Sequence, residues 1–235
     1  MNNTLNINLP DNIEPNGRFY TSQLLQDWFA LLINKFRNNL FFVEIGAANG
    51  IYLSNTYILE RHYGWNGIIA EPLPTLKKQL EANRKCIIDT RCVYSTSGKI
   101  VKFAETVNSL ELSGIESNFA DDMNDRTNKK VFDVETISLN DLLKQHNAPQ
   151  NIDYLSIDTE GSEYEILSTF DFKHYKISVI TVEHNFVEPQ RSAINNLLET
   201  NGYVRIGTNV SRWDDWYVHN SNETLAELLA SAQNV

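Results

Sequence analysis

Two glycines mark a turn where backbone could approach a ligand closely. Residues 44–50, EIGAANG, follow a short apolar run and precede a helical pattern. Gly46 and Gly50 carry no side chain, so the backbone between them can come near a bound molecule. The spacing is not the GxGxxG of a dinucleotide site, and no GK[ST] of a phosphate-binding loop follows. The pattern disfavours a nucleotide pyrophosphate, and taken alone it is also typical of a tight structural turn.

A carboxylate follows this turn at a sequence separation close to that of a ribose-binding acid. Glu71 ends the apolar run GIIA and lies 25 residues after Gly46. In βαβ units that bind nucleotides, an acid about 20 residues beyond the glycines accepts the hydroxyls of a ribose. A single Glu at a strand end is otherwise a solvated surface charge. The glycine turn and this acid together indicate a nucleoside ligand.

Carboxylates and a histidine follow two later apolar runs. Asp158, Glu160 and Glu163 come directly after IDYLSI, and Glu183 and His184 follow ISVITV. Like charges held together raise the pKa of at least one carboxyl group. Glu163 can alternatively stabilise a helix N-terminus, and a single His is often structural. Because His184 stands at a strand end beside the acids of a neighbouring strand, we interpret it as functional.

The elements that position these groups alternate along the chain. Apolar runs near residues 41, 67, 87, 152, 177, 203 and 215 predict seven strands. Helical patterns at 22–36, 52–63, 74–83, 161–170 and 189–202 precede or separate most of them. We therefore predict an α/β fold with a doubly wound, seven-stranded, mostly parallel sheet and an N-terminal helical arm. The last two strands lack a helix between them and are expected to form an antiparallel hairpin.

A polar insertion separates the third and fourth core strands. Residues 91–94 and 99–104 predict a hairpin, and residues 131–137 alternate like a strand. Between them, residues 105–130 are typical of a loop that covers the cleft and selects the acceptor, or of a disordered surface insertion. Candidate contacts in this loop are Ser109, Glu111, Asp121 and Asp122.

Composition limits the partners. The 235 residues carry a formal net charge of −10, which disfavours broad binding to nucleic acid or anionic lipid. No run of about 18 apolar residues predicts a membrane span, and the polar N-terminus lacks the pattern of a secretory signal. The two cysteines, Cys86 and Cys92, fit buried thiols in the cytoplasm. We expect an arm and helix at 1–37, one catalytic domain at 38–220 and a tail at 221–235.

Three segments resemble one known family. SNTYILE (54–60), WNGIIAEP (65–72) and SIDTEGSEYEIL (156–167) are similar to motifs of FkbM-type methyltransferases, and the resemblance covers roughly residues 20–220. These are S-adenosylmethionine-dependent enzymes with the class I, Rossmann-like fold. The resemblance implies S-adenosylmethionine as cofactor and O-methyl transfer to a hydroxyl of a small-molecule acceptor, commonly a sugar, glycan or natural product.

The resemblance also implies a cofactor site. Gly46, Ala47, Asn49 and Gly50 would line the methionine part of the cofactor, and Glu71 would hold its ribose. Ala48 departs from the Asn or Asp of many relatives. The full cofactor-binding set that we predict is Glu44, Gly46, Ala47, Asn49, Gly50, Ser54, Asn55, Glu71, Pro72 and Asp158.

Two ways of activating the acceptor hydroxyl remain open. A hydroxyl is a poor nucleophile and needs a general base or a metal. In the metal-free design, which we prefer, Asp158, Glu160 and His184 form the catalytic centre and His184 is the base. In the alternative, Mg²⁺ or Ca²⁺ is bound by Asp158 and Glu183, with Glu160 as a further ligand.

Two other functions fit parts of the pattern. A cofactor-binding scaffold without catalytic activity would keep Gly46 and Glu71 but need no base. An NAD-dependent reductase is less favoured, because it would need a fuller glycine motif and a Tyr followed four residues later by Lys, which the sequence lacks.

Overall fold

The chain folds around two sheets. The computed structural model describes residues 6–7, 20–119 and 124–232. The strands are β1 (Phe41–Ile45), β2 (Asn66–Ala70), β3 (Ile87–Asp89), β4 (Cys92–Tyr94), β5 (Ile100–Thr106), β6 (Gly114–Ile115), β7 (Lys129–Ser138), β8 (Asn151–Ile157), β9 (Lys176–Glu183), β10 (Tyr203–Ile206) and β11 (Asp214–His219). The helices are α1 (Gln26–Ile33), α2 (Tyr57–Tyr63), α3 (Lys77–Asn83), α4 (Leu139–Gln145), α5 (Glu163–Ser168), α6 (Glu188–Thr200) and α7 (Glu223–Ala232).

The main sheet has seven strands in the order β10-β11-β9-β8-β1-β2-β3. β11 runs antiparallel to β9 and β10, and the remaining pairs are parallel. The predicted α/β fold class, its seven core strands and its terminal hairpin are confirmed. The chain runs outward from β1 to β3 and returns at β8, beside β1. The topological switch point therefore lies between β1 and β8, where such sheets bind ligands.

The main sheet is covered on both faces. Val43 and Ile45 of β1 pack with side chains of α4, α5 and α6 on one face. Phe42 points to the other face and packs with α1, α2, α3 and α7. This alternation follows from the period of two along a strand. Helix α1 therefore shares a core with the sheet and with the tail helix α7.

Two helices begin four or five residues later than the apolar periodicity predicted. α1 begins at Gln26 instead of residue 22, because Leu25 has a φ of 67° and Ser22 is hydrogen-bonded to Asp27. α2 begins at Tyr57 instead of residue 52, because turns occupy the residues before it. No helix of the described residues is long and apolar enough to cross a membrane.

A second sheet has the order β4-β7-β5-β6. The predicted hairpin of residues 91–94 with 99–104 is wrong: β7 lies between β4 and β5, parallel to the first and antiparallel to the second. The turn before β5 is bonded to β7 instead, since Gly98 N donates to Thr136 O at 2.8 Å. Pairing with a distant strand has replaced pairing with the nearest one.

The inserted segment is structured over its described residues. Residues 105–119 and 124–130 include the end of β5, two single-turn 3₁₀ helices, β6 and the start of β7, so the alternative of a disordered surface insertion is wrong for them. Ile115 packs with Phe103 and Leu73 in a small third core, which explains the order. The candidates Asp121 and Asp122 lie outside the described residues.

Candidate functional site

The carboxyl ends of β1, β2, β8 and β9 border a cleft. Three adjoining cavities make up this cleft, and Asp158 lines all of them. Gly46 and Glu71 line the two narrow cavities. The third cavity, of about 620 Å³, is wider and includes Glu160, Glu183 and Trp213 in its wall. Another cavity, of about 430 Å³, lies at the opposite end of the sheet and contains none of the predicted site residues.

Gly46 makes the close approach at the switch point. Its φ is +85°, and a Cβ built on it would lie 1.8 Å from the carbonyl oxygen of Asp158. Gly46 N donates to Ala70 O at 3.0 Å, so the turn is held between β2 and β8. The space beside Gly46 is thus filled by backbone, and this glycine serves the fold as well as the cleft.

Glu71 braces the glycine turn and faces the cleft. Its two oxygens accept hydrogen bonds from Ala48 N at 2.9 Å and Leu73 N at 3.0 Å. Burial raises the pKa of this carboxyl group to about 7, and the two backbone donors oppose the shift. Each carboxylate oxygen has a second lone pair. Glu71 can therefore hold the turn and still accept ligand hydroxyls.

Four members of the predicted cofactor-binding set lie behind the turn. Glu44 accepts hydrogen bonds from Ser54 Oγ at 3.0 Å and Thr56 Oγ1 at 2.6 Å, and it pairs with buried Arg84 at 3.2 Å. Asn49 Oδ1 caps the backbone of Tyr52 at 2.8 Å. Glu44, Asn49, Gly50 and Ser54 line none of the three described cavities of the cleft. They support the turn on its side away from the cleft. Sequence reasoning did not identify Arg84, the buried cation that pairs with Glu44.

The remaining members of that set face the cleft. Ala47, Asn55 and Pro72 line it beside Gly46, Glu71 and Asp158. Asn55 Nδ2 donates to Ser156 Oγ at 2.8 Å. Asn55 Oδ1 is buried and has no hydrogen-bond partner among the described residues. A buried acceptor without a partner is costly, so this atom suits a donor group on a ligand.

Three carboxylates meet in the wider cavity. Asp158, Glu160 and Glu183 offer oxygen atoms that all lie within 4.8 Å of one another. Loss of hydration and then repulsion by Asp214 raise the pKa of Asp158 to about 8. Loss of hydration and repulsion by Asp158 raise that of Glu160 to about 8. Glu183 Oε2 is buried without a hydrogen-bond partner in the described part of the chain. The group suits a bound proton or a divalent cation.

A buried arginine of the inserted segment reaches this group. Arg126 forms an ion pair with Glu160, and its Nε donates to Leu112 O at 3.0 Å. Its guanidinium also lies 4.6 Å from the centre of the Phe119 ring. Sequence reasoning missed Arg126, because nothing in the local pattern around it indicates a buried charge.

His184 is not part of the carboxylate group. The prediction that it converges with Asp158 and Glu160 differs from the structure, because Glu183, the last residue of β9, meets these two carboxylates instead. His184 Nε2 lies 3.8 Å from Asp215 Oδ1, and Nδ1 accepts from Phe186 N at 3.0 Å. Burial lowers the pKa of its imidazole.

Glu163 has the structural role weighed for it. Its Oε1 accepts from Thr159 N at 2.9 Å and Gly161 N at 3.2 Å, and Oε2 accepts from Gln190. These bonds brace the turn between β8 and α5. Glu163 is also the first residue of α5, the position for which the sequence suggested a structural role.

The fold is that of class I methyltransferases. Residues 44–205 match the model of the methyltransferase FkbM domain, so the chain belongs to the FkbM methyltransferase family. This is a family of S-adenosylmethionine-dependent methyltransferases. No curated protein matches the sequence.

Solved structures resemble the chain in fold. The methyltransferase FkbM from Methylobacillus flagellatus KT has a TM-score of 0.50 and 12% identity, and the match covers 77% of this chain and 44% of that one. Precorrin-6y C5,15-methyltransferase from Geobacter metallireducens GS-15 gives 0.44 and 13% over 85% and 82% of the two chains. An O-methyltransferase from Bacillus cereus in complex with SAH gives 0.43 and 13% over 86% and 84%. At these identities the likeness concerns the fold alone.

Proposed function

We propose that the protein transfers a methyl group from S-adenosylmethionine to a hydroxyl of a small-molecule acceptor such as a sugar, glycan or natural product. The observation that carries the proposal is the junction of the cleft. The narrow cavities beside Gly46 and Glu71 meet the wide, carboxylate-lined cavity at Asp158. This arrangement supports a cofactor on one side of Asp158 and an acceptor hydroxyl on the other.

The residues of the narrow cavities fit S-adenosylmethionine. Glu71 has lone pairs for ribose hydroxyls, and the unpartnered Asn55 Oδ1 suits a cationic donor such as an ammonium group. Pro72, Val93 and Phe103 border an apolar slot beside Glu71 that suits a purine ring. When bound, the cofactor supplies an electrophilic methyl group on a sulfonium cation. The acidic cleft favours that positive charge.

The carboxylate group supports activation of the acceptor hydroxyl. Asp158 borders both parts of the cleft, so we assign it the role of proton acceptor that the sequence suggested for His184. Glu160 and Glu183 lie beside it and can hold the hydroxyl. Positioning of the hydroxyl in line with the methyl group supplies most of the rate enhancement in such a reaction.

A divalent cation is the second candidate, favoured by the mutual distances of the carboxylate oxygens. Asp158, Glu160 and Glu183 would offer hard oxygen ligands to Mg²⁺ or Ca²⁺. A cation there would bind the acceptor hydroxyl and make it more acidic.

The two buried, free cysteines support the cytoplasm as the place of this reaction. Residues 38–220 remain the proposed limits of the catalytic domain, with α1 and α7 packed onto its sheet from outside those limits.

Titration calorimetry tests the cofactor part of the proposal. We expect S-adenosylmethionine and S-adenosylhomocysteine to bind and NAD to show no binding. Glu71→Ala removes two charged acceptors and should weaken binding by about tenfold or more. Glu81→Ala is the matched control, because Glu81 lies on α3 with a half-exposed side chain and lines none of the described cavities of the cleft. Equal affinities of the two variants would remove Glu71 from the cofactor site.

A transfer assay tests the chemistry. We expect methyl transfer to hydroxyl acceptors and its loss in Asp158→Asn. The same assay with a chelator separates the two candidates: insensitivity excludes the cation, and loss of activity restored by Mg²⁺ excludes the metal-free base. A protein that binds the cofactor and methylates no acceptor would instead be a binding scaffold.

A further inference from the structure

The turn between β9 and α6 is strained. Asn185 has a φ of 45° and Phe186 a φ of 60°, in the left-handed region that favours glycine. Two consecutive non-glycine residues keep such a conformation only where their surroundings hold it. Strain of this kind is concentrated at functional sites, so the side chains that this turn holds in place are candidates for a functional role.

His184 supplies the support. Its Nδ1 accepts the backbone N–H of Phe186 at 3.0 Å, which closes the turn on itself. Its own backbone N donates to Trp213 O at 2.9 Å and anchors the turn to the loop before β11. The imidazole and the Phe186 ring meet edge to face with centroids 5.7 Å apart. The His184 side chain is 1% exposed, so water does not compete for these contacts.

The turn directs its next two side chains toward the wide cavity. Asn185 Nδ2 lies 3.3 Å from Glu160 Oε2, at the carboxylate group. The Phe186 ring lines the same cavity, together with Leu53, Val187 and Trp213. Phe186 is nevertheless 63% exposed, an unusual state for a phenylalanine. The same cavity is thus lined both by apolar side chains and by the carboxylate group.

We infer that residues 184–186 form the acceptor-binding element, in which Phe186 is the surface that the acceptor packs against and His184 is the positioning residue that holds Phe186 in place. The inference rests on the proposed function, since it assumes that an acceptor enters this cavity. The acceptor it fits is a ring with an apolar face and a hydroxyl at its edge. Its face lies on Phe186 while the hydroxyl reaches Asp158, Glu160 and Glu183.

Substitution of Phe186 tests the packing surface. The probes are 4-nitrophenyl glycopyranosides, whose rings carry hydroxyls and apolar faces. Their methylation is followed by release of S-adenosylhomocysteine, and their binding by quenching of tryptophan fluorescence. Phe186→Ala should raise KM for the probe by about tenfold, with kcat and cofactor affinity within about threefold of the parent. Phe186→Tyr keeps the ring and should restore KM.

Phe36→Ala is the matched control. Phe36 is also an exposed phenylalanine, at 41%, with a φ of 51°, and it lies after α1 away from the cleft. It should leave KM unchanged. An unchanged KM in Phe186→Ala would overturn the inference. A parent enzyme that binds cofactor but neither binds nor methylates any probe would overturn it too, while leaving the cofactor part of the proposed function intact.

The positioning role of His184 is tested by which kinetic constant, KM or kcat, changes when His184 is substituted. His184→Ala should raise KM as Phe186→Ala does, and the double variant should be no worse than either single one, because His184 acts through Phe186. His184→Asn keeps an acceptor near the position of Nδ1 and should recover most of the affinity. A general base would instead show a kcat loss of about 10²–10⁴-fold with KM retained, and that result would overturn the positioning role. Should His184→Ala fail to fold, His184→Asn and the Phe186 variants decide the question.

Discussion

At the scale of single residues, Gly46 is required by the backbone that it touches. The carbonyl of Asp158 occupies the position where a Cβ would point, at 1.8 Å. Asp158 N in turn donates to Ile45 O at 3.0 Å, so β1 and β8 are joined directly beside this contact. A side chain at Gly46 would push the end of β8 away from β1. Asp158 would move with it.

We therefore expect Gly46→Ala to destabilise the fold far more than Gly98→Ala. Both glycines have a positive φ, +85° and +72°, so a backbone strain of about 1 kcal/mol is common to the two variants. A Cβ at Gly98 would meet no atom within 4 Å, whereas the clash at Gly46 adds about 1–3 kcal/mol or more. Urea unfolding followed by circular dichroism measures both free energies. Equal losses would show that the contact with Asp158 does not constrain the turn.

At the scale of elements, local patterns predicted the core strands and distant pairing escaped them. Runs such as residues 41–45 and 177–182 are mostly apolar because both faces of the sheet are covered, and that signal is local. The position of β7 between β4 and β5 depends on a pairing partner far along the chain, which no local pattern encodes. The acids at the ends of β8 and β9 could be predicted to lie together, because both follow core strands that the local signal indicates. The direction of the His184 side chain and the contact of Arg126 with Glu160 could not be predicted, because both depend on tertiary packing.

Arg126 links the inserted segment to the carboxylate group, so its substitution should affect both the segment and acceptor binding. Arg126→Gln removes the buried cation that opposes the raised pKa of Glu160, so the Glu160 carboxyl group is left protonated and the inserted segment loses its link to the site. We expect faster proteolysis within residues 107–128 and a higher acceptor KM, with cofactor affinity kept.

Lys129→Gln is the control for this element. Lys129 lies 5.7 Å from the same Phe119 ring and pairs with the more exposed Glu116 at 2.9 Å. A surface pair of this kind contributes about 0–1 kcal/mol. Limited proteolysis and steady-state kinetics compare the two variants. Equal cleavage rates would contradict a linking role for Arg126.

At the scale of the whole molecule, buried acids without cations gather at the cleft end of the sheet. Arg191 and Arg205 neutralise Asp215 at 2.9 and 3.0 Å. Among the described residues, Asp214 instead accepts from neutral Gln26 at 2.7 Å, and Glu71 accepts only from backbone amides. The sequence predicted an acidic protein from its net charge of −10. Which acids are buried depends on the tertiary fold, so the electrostatic cost of the cleft could not be predicted from composition.

This charge distribution sets how stability depends on pH. Burial raises the pKa of Asp27 to about 6, of Glu71 to about 7 and of Asp214 to about 7. In the unfolded chain these groups return to ordinary values near 4, so between about pH 4 and pH 7 the folded state binds more protons. Stability must then fall as the pH rises through that window. Buried His184, whose pKa is lowered, acts in the opposite direction below its ordinary value of 6.5.

We expect the free energy of unfolding to decrease between about pH 4 and pH 7. For Glu71 alone, a rise of the pKa from 4.5 to about 7 corresponds to on the order of 3 kcal/mol. Urea titrations at several pH values measure the slope. Glu71→Gln cannot ionise and should flatten it, whereas Glu81→Gln, on the exposed side of α3, should leave it unchanged. A free energy of unfolding that stays level or rises over this range would mean that the buried carboxyl groups remain ionised. Their charge would then be balanced by contacts other than those of Arg191 and Arg205.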